Sequence, residues 1–147
     1  MKKNQIFIKC GTEYKEMTKE LLEACDLAGE IEQKFEKCET NSAGGLYGMR
    51  IGIKPNLVAP MEACWGGTTH PEVVAGIVEY LQEKGFFNLM IMEGSWVGDK
   101  TSEAYEVCGF KSLCEKYNVP FLDMQKEKGA PVQCGDMTLN ICKRVLD

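Results

Sequence analysis

Short apolar runs alternate along the chain with longer segments in which apolar residues recur every three or four positions. The runs have the pattern of β-strands, and they cover residues 5–11, 49–58, 87–92 and 119–124. The segments between them have helical spacing. Strands separated by helices need crossover connections, which give a parallel sheet. We therefore predict an α/β fold: a three-layer βαβ-type domain with a mainly parallel sheet of about four strands.

The stretch GGTTHPEVVAGIVEYLQEKG, residues 66–85, predicts a well-bounded helix. Pro71 falls in the first turn, where a missing N–H costs nothing, and Gly85 is a natural C-terminal stop. Thr69 is predicted to cap this helix, with Glu72 three residues later completing a capping box. The helix has one apolar face, formed by Val73, Val74, Ile77, Val78 and Leu81.

The segments before and after this helix have weaker sequence patterns. Residues 13–35 read as one amphipathic helix that Gly29 breaks or kinks, and Gly109 is expected to divide residues 104–117, after a loop at 95–102, into two short helices. Residues 126–136 resemble a loop, and residues 137–147 fit a strand or a short helix. We expect one α/β domain over residues 1–147, with a missing second half or a homodimer partner to complete it.

Charge and hydropathy argue against a nucleic-acid partner, a membrane span and a signal peptide. The net charge is −5, and acidic and basic residues are interleaved, so no basic stripe follows a nucleic-acid backbone. No apolar run approaches the ~20 residues of a membrane span. The run Ile6–Ile8 is too short for a signal peptide, so we expect a cytoplasmic protein.

The chain contains eight cysteines but no C-x-x-C pair, and one histidine cannot complete a Cys2His2 zinc site. Cys10, Cys25, Cys108 and Cys114 lie where a small hydrophobic residue would pack, which favours reduced structural thiols. The alternative is cluster ligation or redox chemistry, for which Cys64 in a loop is the best candidate.

Parallel sheets bind ligands at the carboxyl ends of their strands, and polar residues collect there. His70 is a candidate general acid or base, or a divalent-metal ligand with Glu93 or Asp99; it could equally bond only to the preceding loop. Lys54 is a candidate catalytic cation that pairs with a phosphate or simply with Glu93.

A helix that begins at residues 69–71 also offers free N–H groups to an anion. Gly66 and Gly67 would let the backbone approach a ligand closely. The alternative is a well-capped helix after a flexible loop. Trp65 and Trp96 would line a pocket, cover the end of the sheet, or meet a partner domain. The candidate ligand-binding residues are Asn56, Gly67, Thr68, Thr69, Glu93 and Ser95.

Several segments resemble the amino-terminal half of the family catalogued as domain of unknown function 362. They are IGIKPNLV, the helix stretch quoted above, IMEGSWVGDKTSEAYEVCGF and EKYNVPFLDM, in this order. The resemblance implies site residues at Lys54, Asn56, Thr69 and His70, and further at Glu93, Ser95 and Asp99. It also implies a second half beyond these segments. The family is described as iron–sulfur associated, but ferredoxin-type cysteine spacing does not occur here.

Three hypotheses follow. The first is an enzyme-type domain that binds a small anionic ligand or a divalent metal at the strand ends. The second is an iron–sulfur-associated electron-transfer protein. The third is a non-catalytic docking half that pairs with another domain or another copy. The cofactor and the reaction are not predicted.

Overall fold

The computed structural model describes residues 5–37 and 44–146. Three helices come first: α1 (Tyr14–Ala24), α2 (Leu27–Lys37) and α3 (Gly45–Gly48). An alternating region follows, with β1 (Ile51–Ile53), a 3-10 turn (Ala63–Trp65), α4 (Pro71–Glu83), β2 (Leu89–Glu93), α5 (Thr101–Val107), α6 (Phe110–Tyr117) and β3 (Phe121–Asp123). The last elements are β4 (Gly129–Cys134), β5 (Met137–Cys142) and α7 (Lys143–Leu146).

The α/β class and the parallel sheet are confirmed. Strands β1, β2 and β3 pair in parallel and in sequence order. Both crossovers therefore run in the same direction, and the right-handed rule places α4 and the α5–α6 pair on one face. Leu89, Ile91 and Glu93 are buried, whereas Met90 and Met92, which alternate to the opposite face of the sheet, are only half-buried. The crossover helices thus supply one helical layer.

Helix α4 is the centre of the core because its apolar face is continuous. Val74, Val78 and Leu81 are at most 1% exposed, as the period of the sequence predicted, whereas Val73 and Ile77 of the same predicted face are only half-buried. The helix begins at Pro71, and Gly85 follows its last turn. Helix α1 packs against α4 at Gly76, where an added Cβ would lie 2.6 Å from the Lys15 carbonyl oxygen.

The predicted first strand is wrong. Residues 5–11 form no β-bridge, and the side chains of Ile6 and Ile8 are 86% and 79% exposed. Their alternating pattern has no neighbouring strand to pair with, and a strand without a partner has no sheet to stabilise it. Cys10, which was expected to end this strand in the core, is exposed.

The first helical segment divides earlier than predicted. Helices α1 and α2 are separated at Cys25–Asp26, and Gly29 lies within α2. The Asp26 carboxylate accepts a hydrogen bond from the Gly29 backbone N–H at 3.4 Å. Asp26 thereby takes the position of an N-cap for α2, which explains why a new helix begins there. The division of α5 from α6 at Gly109 is confirmed.

An antiparallel hairpin follows β3, and its first strand lies where a loop was predicted, whereas its second strand, followed by α7, agrees with the predicted strand or short helix at residues 137–147. Strand β4 occupies residues 129–134 and pairs with β5 over six residue pairs. Alternation along the two strands places Ala130, Val132, Leu139, Met137 and Ile141 on one face. Met137 and Leu139 are 63% and 42% exposed, so this apolar face is uncovered.

None of the helices in the described ranges is long and apolar enough to cross a membrane.

Candidate functional site

Polar residues meet at the carboxyl-terminal edge of the parallel sheet. Glu93 ends β2 and Asp123 ends β3, and these two residues are paired in register. Lys54 directly follows β1, and its Nζ lies 2.6 Å from Glu93 Oε2. Asp123 is instead paired with Lys126, whose Nζ lies 3.0 Å from Asp123 Oδ2. We call Lys54, Glu93 and the loops that follow β1 and β2 the strand-end site.

The Glu93 carboxylate is the most unusual group in this site. Its side chain is 4% exposed, whereas that of Lys54 is 60% exposed. Among the described residues, Glu93 Oε2 is buried and has no hydrogen-bond partner, although the Lys54 ammonium lies 2.6 Å away. That short distance compensates the charge of the carboxylate. Burying a carboxylate in this state costs free energy unless its charge is compensated.

The loop after β1 is held to the start of α4 by hydrogen bonds from predicted site residues. The Asn56 backbone N–H donates to Thr69 Oγ1 at 2.9 Å, and the Thr69 N–H donates to the Asn56 carbonyl at 2.9 Å. Asn56 Nδ2 also donates to the Gly67 carbonyl at 3.0 Å, and the Thr68 hydroxyl donates to the Met61 carbonyl at 3.2 Å. These side chains close the loop in the structure.

The predicted capping box is wrong for the same reason. His70, not Thr69, occupies the N-cap of α4, and no side chain caps that helix end. The Thr69 hydroxyl is engaged by Asn56, thirteen residues earlier. A long-range hydrogen bond has therefore replaced the local one that the motif suggested.

The loop after β2 is held equally firmly. The Ser95 hydroxyl donates to the Leu57 carbonyl at 2.7 Å, and the Ser95 N–H donates to Thr101 Oγ1 at 3.0 Å. Gln125 Nε2 donates to the carbonyls of Ser95 and Asp99, each at 3.0 Å. Its Oε1 accepts a hydrogen bond from the Thr101 N–H at 3.1 Å. Residues after all three strands thus fix this loop.

The fixed loops present apolar side chains to solvent. Trp65 is 79% exposed, Trp96 is 72% exposed, and Val97 is 97% exposed. The Trp96 N–H donates to the Val58 carbonyl at 2.9 Å, so its backbone lies against the loop after β1. Exposed tryptophans on a rigid backbone are suited to contact a ligand or a partner surface.

His70 contacts Tyr14 and Glu72, and not Glu93 or Asp99, with which it was predicted to hold a metal. Its ring lies 4.5 Å from the ring of Tyr14, and its Nδ1 lies 3.8 Å from Glu72 Oε2. Within residues 5–37 and 44–146, it forms no hydrogen bond or ion pair with Lys54 or Glu93. Nor does that part of the chain contain a group of three or more His, Cys, Asp or Glu residues able to hold a metal ion. His70, Glu93 and Asp99 are therefore not assembled as a three-ligand site.

The described cysteines are all free thiols, and Cys38 lies outside the described residues. Cys108 and Cys114 are buried, as predicted, and Cys64 is exposed in the 3-10 turn. Burial raises the pKa of the Cys114 thiol, against the opposing effect of a hydrogen bond with Tyr105. The pKa of Tyr105 is raised to about 12, mainly by burial and secondly by its hydrogen bond with Cys114. These groups remain protonated at neutral pH and pack in the core.

Sequence reasoning missed Gln125 and the basic residues around the hairpin. Gln125 follows the last residues of a strand, and its position opposite the loop after β2 depends on the strand order. The hairpin did have a signal, because Gly135 and Asp136 separate two six-residue runs. A two-residue Gly-Asp connection between such runs is typical of a tight hairpin.

Comparison with known proteins gives one match. The sequence profile described as "Domain of unknown function (DUF362)" matches residues 51–147, which is more than half of the chain. No curated protein and no solved structure shows a significant match.

Proposed function

Because the chain belongs to the DUF362 family, whose description assigns no activity, we propose a function from the geometry of the strand-end site. We propose that this site binds a small ligand that carries an anionic group and a hydrogen-bond donor. The observation that supports the proposal is the buried Glu93 oxygen without a hydrogen-bond partner, next to the exposed ammonium of Lys54.

Each group has a definite part in this proposal. The Lys54 ammonium is mostly solvent-exposed, so it can contact a carboxylate or phosphate while it remains near Glu93. Where Lys54 moves toward the ligand, the Glu93 carboxylate is uncovered and can accept a hydrogen bond from a hydroxyl or amino group of the same ligand. Enzymes use such pairs of a carboxylate and an ammonium in acid–base catalysis, and that use would make the domain enzyme-type.

The other predicted residues take supporting positions. Asn56, Gly67, Thr68, Thr69 and Ser95 fix the two loops, so we propose that they shape the site without necessarily touching the ligand. The catalytic role of His70 and a divalent-metal site with Glu93 and Asp99 stay predictions. The cytoplasmic location, the single-domain organisation and the absence of nucleic-acid partners stay predictions as well.

A thermal-shift screen tests the proposal with a panel of probes: acetate, succinate, inorganic phosphate, glycine and phosphoserine. We expect at least one probe to raise the melting temperature of the wild-type protein, because a ligand that binds only the folded state stabilises it. Lys54→Met and Glu93→Gln should abolish that rise. Lys100→Met is the matched control, because Lys100 lies in the loop after β2 and pairs with exposed Glu103 at 2.8 Å.

The variant Lys54→Met leaves the buried Glu93 charge uncompensated and can itself lower stability. Lys54→Arg therefore accompanies it, since arginine retains the charge and should retain part of the response. The proposal fails if no probe stabilises the wild type, or if Lys54→Met responds as strongly as Lys100→Met.

A second candidate function is docking, and the hairpin supports it. An isolated two-stranded hairpin is marginally stable in water, yet the face that contains Met137 and Leu139 is exposed. We propose that a second copy of this chain covers this face, because one self-complementary patch then satisfies both copies. Light scattering after size-exclusion chromatography should give a dimer for the wild type and a monomer for Leu139→Lys. A wild type that remains monomeric at high protein concentration contradicts this candidate.

A further inference from the structure

The open end of the hairpin concentrates positive charge on an otherwise acidic protein. Its cleft has a volume of about 500 Å³. We call it the basic cleft, and it is lined by Lys126, Glu127, Lys128, Lys143 and Arg144. The whole chain has a net charge of −5, so four cationic side chains around one cleft are a local reversal of sign.

One backbone hydrogen bond brings two of these cationic residues together at the open end of the hairpin. Gly129 and Cys142 are the last residues paired in register, and the Lys143 N–H donates to the Lys128 carbonyl at 3.1 Å. Lys128, just before β4, is therefore adjacent to Lys143, the first residue of α7. Like charges that are close together repel each other, and a bound anion would relieve that repulsion.

The carboxylates nearby neutralise the other two cations only in part. Lys126 pairs with Asp123 at 3.0 Å, and Arg144 Nε lies 3.8 Å from Glu127 Oε2. Among the described residues, neither Lys128 nor Lys143 has a carboxylate partner. Two ammonium groups and most of the Arg144 guanidinium are therefore available to an incoming anion.

From these observations we infer that the basic cleft binds a compact multivalent anion of the phosphate or diphosphate class. The guanidinium of Arg144 can contact two oxygens of such a group, and Lys128 and Lys143 supply point charges beside it. This site is separate from the strand-end site and does not depend on the function proposed above. Binding at the cleft would also stabilise the open end of the hairpin, because it compensates the like charges there.

Isothermal titration at low ionic strength with inorganic pyrophosphate tests the inference, since exposed charges are screened by salt. We expect measurable binding to the wild type that sodium chloride of equal ionic strength does not reproduce. Lys143→Gln should raise the dissociation constant roughly tenfold, as expected for the loss of one charge-assisted contact. Without pyrophosphate, this variant should melt at the wild-type temperature or above it, because it removes the repulsion.

Two further variants test where on the protein pyrophosphate binds. Lys111→Gln is the matched control, because Lys111 pairs with Glu106 at 2.9 Å on the surface of the parallel-sheet region and should bind pyrophosphate like the wild type. Lys54→Met should also retain binding. The inference is overturned if sodium chloride acts like pyrophosphate, or if Lys143→Gln binds as tightly as Lys111→Gln. Loss of binding in Lys54→Met alone would also overturn it, and would assign the anion to the strand-end site.

Discussion

The buried hydroxyl of Thr101 gives the clearest prediction about how the strand-end site is held. Thr101 is fully buried, and its Oγ1 accepts the hydrogen bond from the Ser95 backbone N–H at 3.0 Å. Thr101→Val keeps the shape of the side chain but removes the acceptor. The Ser95 N–H is then buried without a partner.

Leaving a buried donor unsatisfied costs about 1–3 kcal/mol. For a chain of this size, that loss corresponds to a decrease in melting temperature of roughly 2–10 °C. Urea unfolding followed by far-UV circular dichroism measures the free energy directly. The m-value should stay unchanged, because the surface exposed on unfolding is nearly the same.

Thr12→Val is the matched control, because Thr12 is exposed and its hydroxyl only reaches Glu13, at 3.5 Å. Its free energy of unfolding should stay within about 0.5 kcal/mol of the wild type. If Thr101→Val is as stable as Thr12→Val, the hydrogen bond to Ser95 contributes nothing measurable to stability, contrary to this prediction.

Three further predictions concern the residues that pack on and around helix α4. Burial alone would raise the pKa of Glu79, but hydrogen bonds from Tyr117 and Lys15 outweigh it and lower that pKa below 4.5. The stabilisation from Glu79 is therefore present above pH 4.5 and lost as the pH falls through the lower folded-state pKa. Urea unfolding should show Glu79→Gln less stable than wild type at pH 7, with a smaller difference at acid pH; a pH-independent difference contradicts this. Gly76→Ala should lose about 1–3 kcal/mol in the same assay, despite the higher helix propensity of alanine, because its Cβ would lie 2.6 Å from the Lys15 carbonyl oxygen. Cys114 should resist a thiol reagent until the protein unfolds, whereas exposed Cys10 should react at once; equal rates in the native protein would be inconsistent with the burial of Cys114.

The elements that could be predicted have strong local signals. Helix α4 combines a continuous apolar face with a proline at its start and a glycine after its end. Strand β2 was predicted two residues early, but its apolar run identified it as the buried centre of a parallel sheet. Gly109 divided two helices where expected. In each case, residues within one turn or one strand contain the information.

The errors arose where a distant partner decides the structure. Residues 5–11 alternate like a strand but find no neighbour, and residues 129–134 include Pro131 yet pair fully with β5. Pro131 is tolerated because both strands of a two-stranded hairpin are edge strands. Strand pairing is a property of two segments, so the pattern of one segment could not settle either outcome.

The site was predictable in position but not in its contacts. Carboxyl ends of parallel strands share one edge, which is why Lys54 and Glu93 could be expected near each other. The direction of each side chain depends on packing. The Thr69 hydroxyl bonds Asn56 instead of capping α4, and the His70 ring lies against Tyr14. Neither contact has a sequence signal, because both partners are distant along the chain.

Chemical-shift mapping locates a small anionic ligand bound at the strand-end site. The ¹⁵N-labelled protein would be titrated with acetate, succinate, inorganic phosphate, glycine and phosphoserine in turn. Binding at this site should give saturable shifts for the backbone signals of residues 54, 93 and 95 and for the indole of Trp96, and Lys54→Met should show none of them. Shifts confined to other surfaces, or no saturable shift with any probe, would contradict binding at this site.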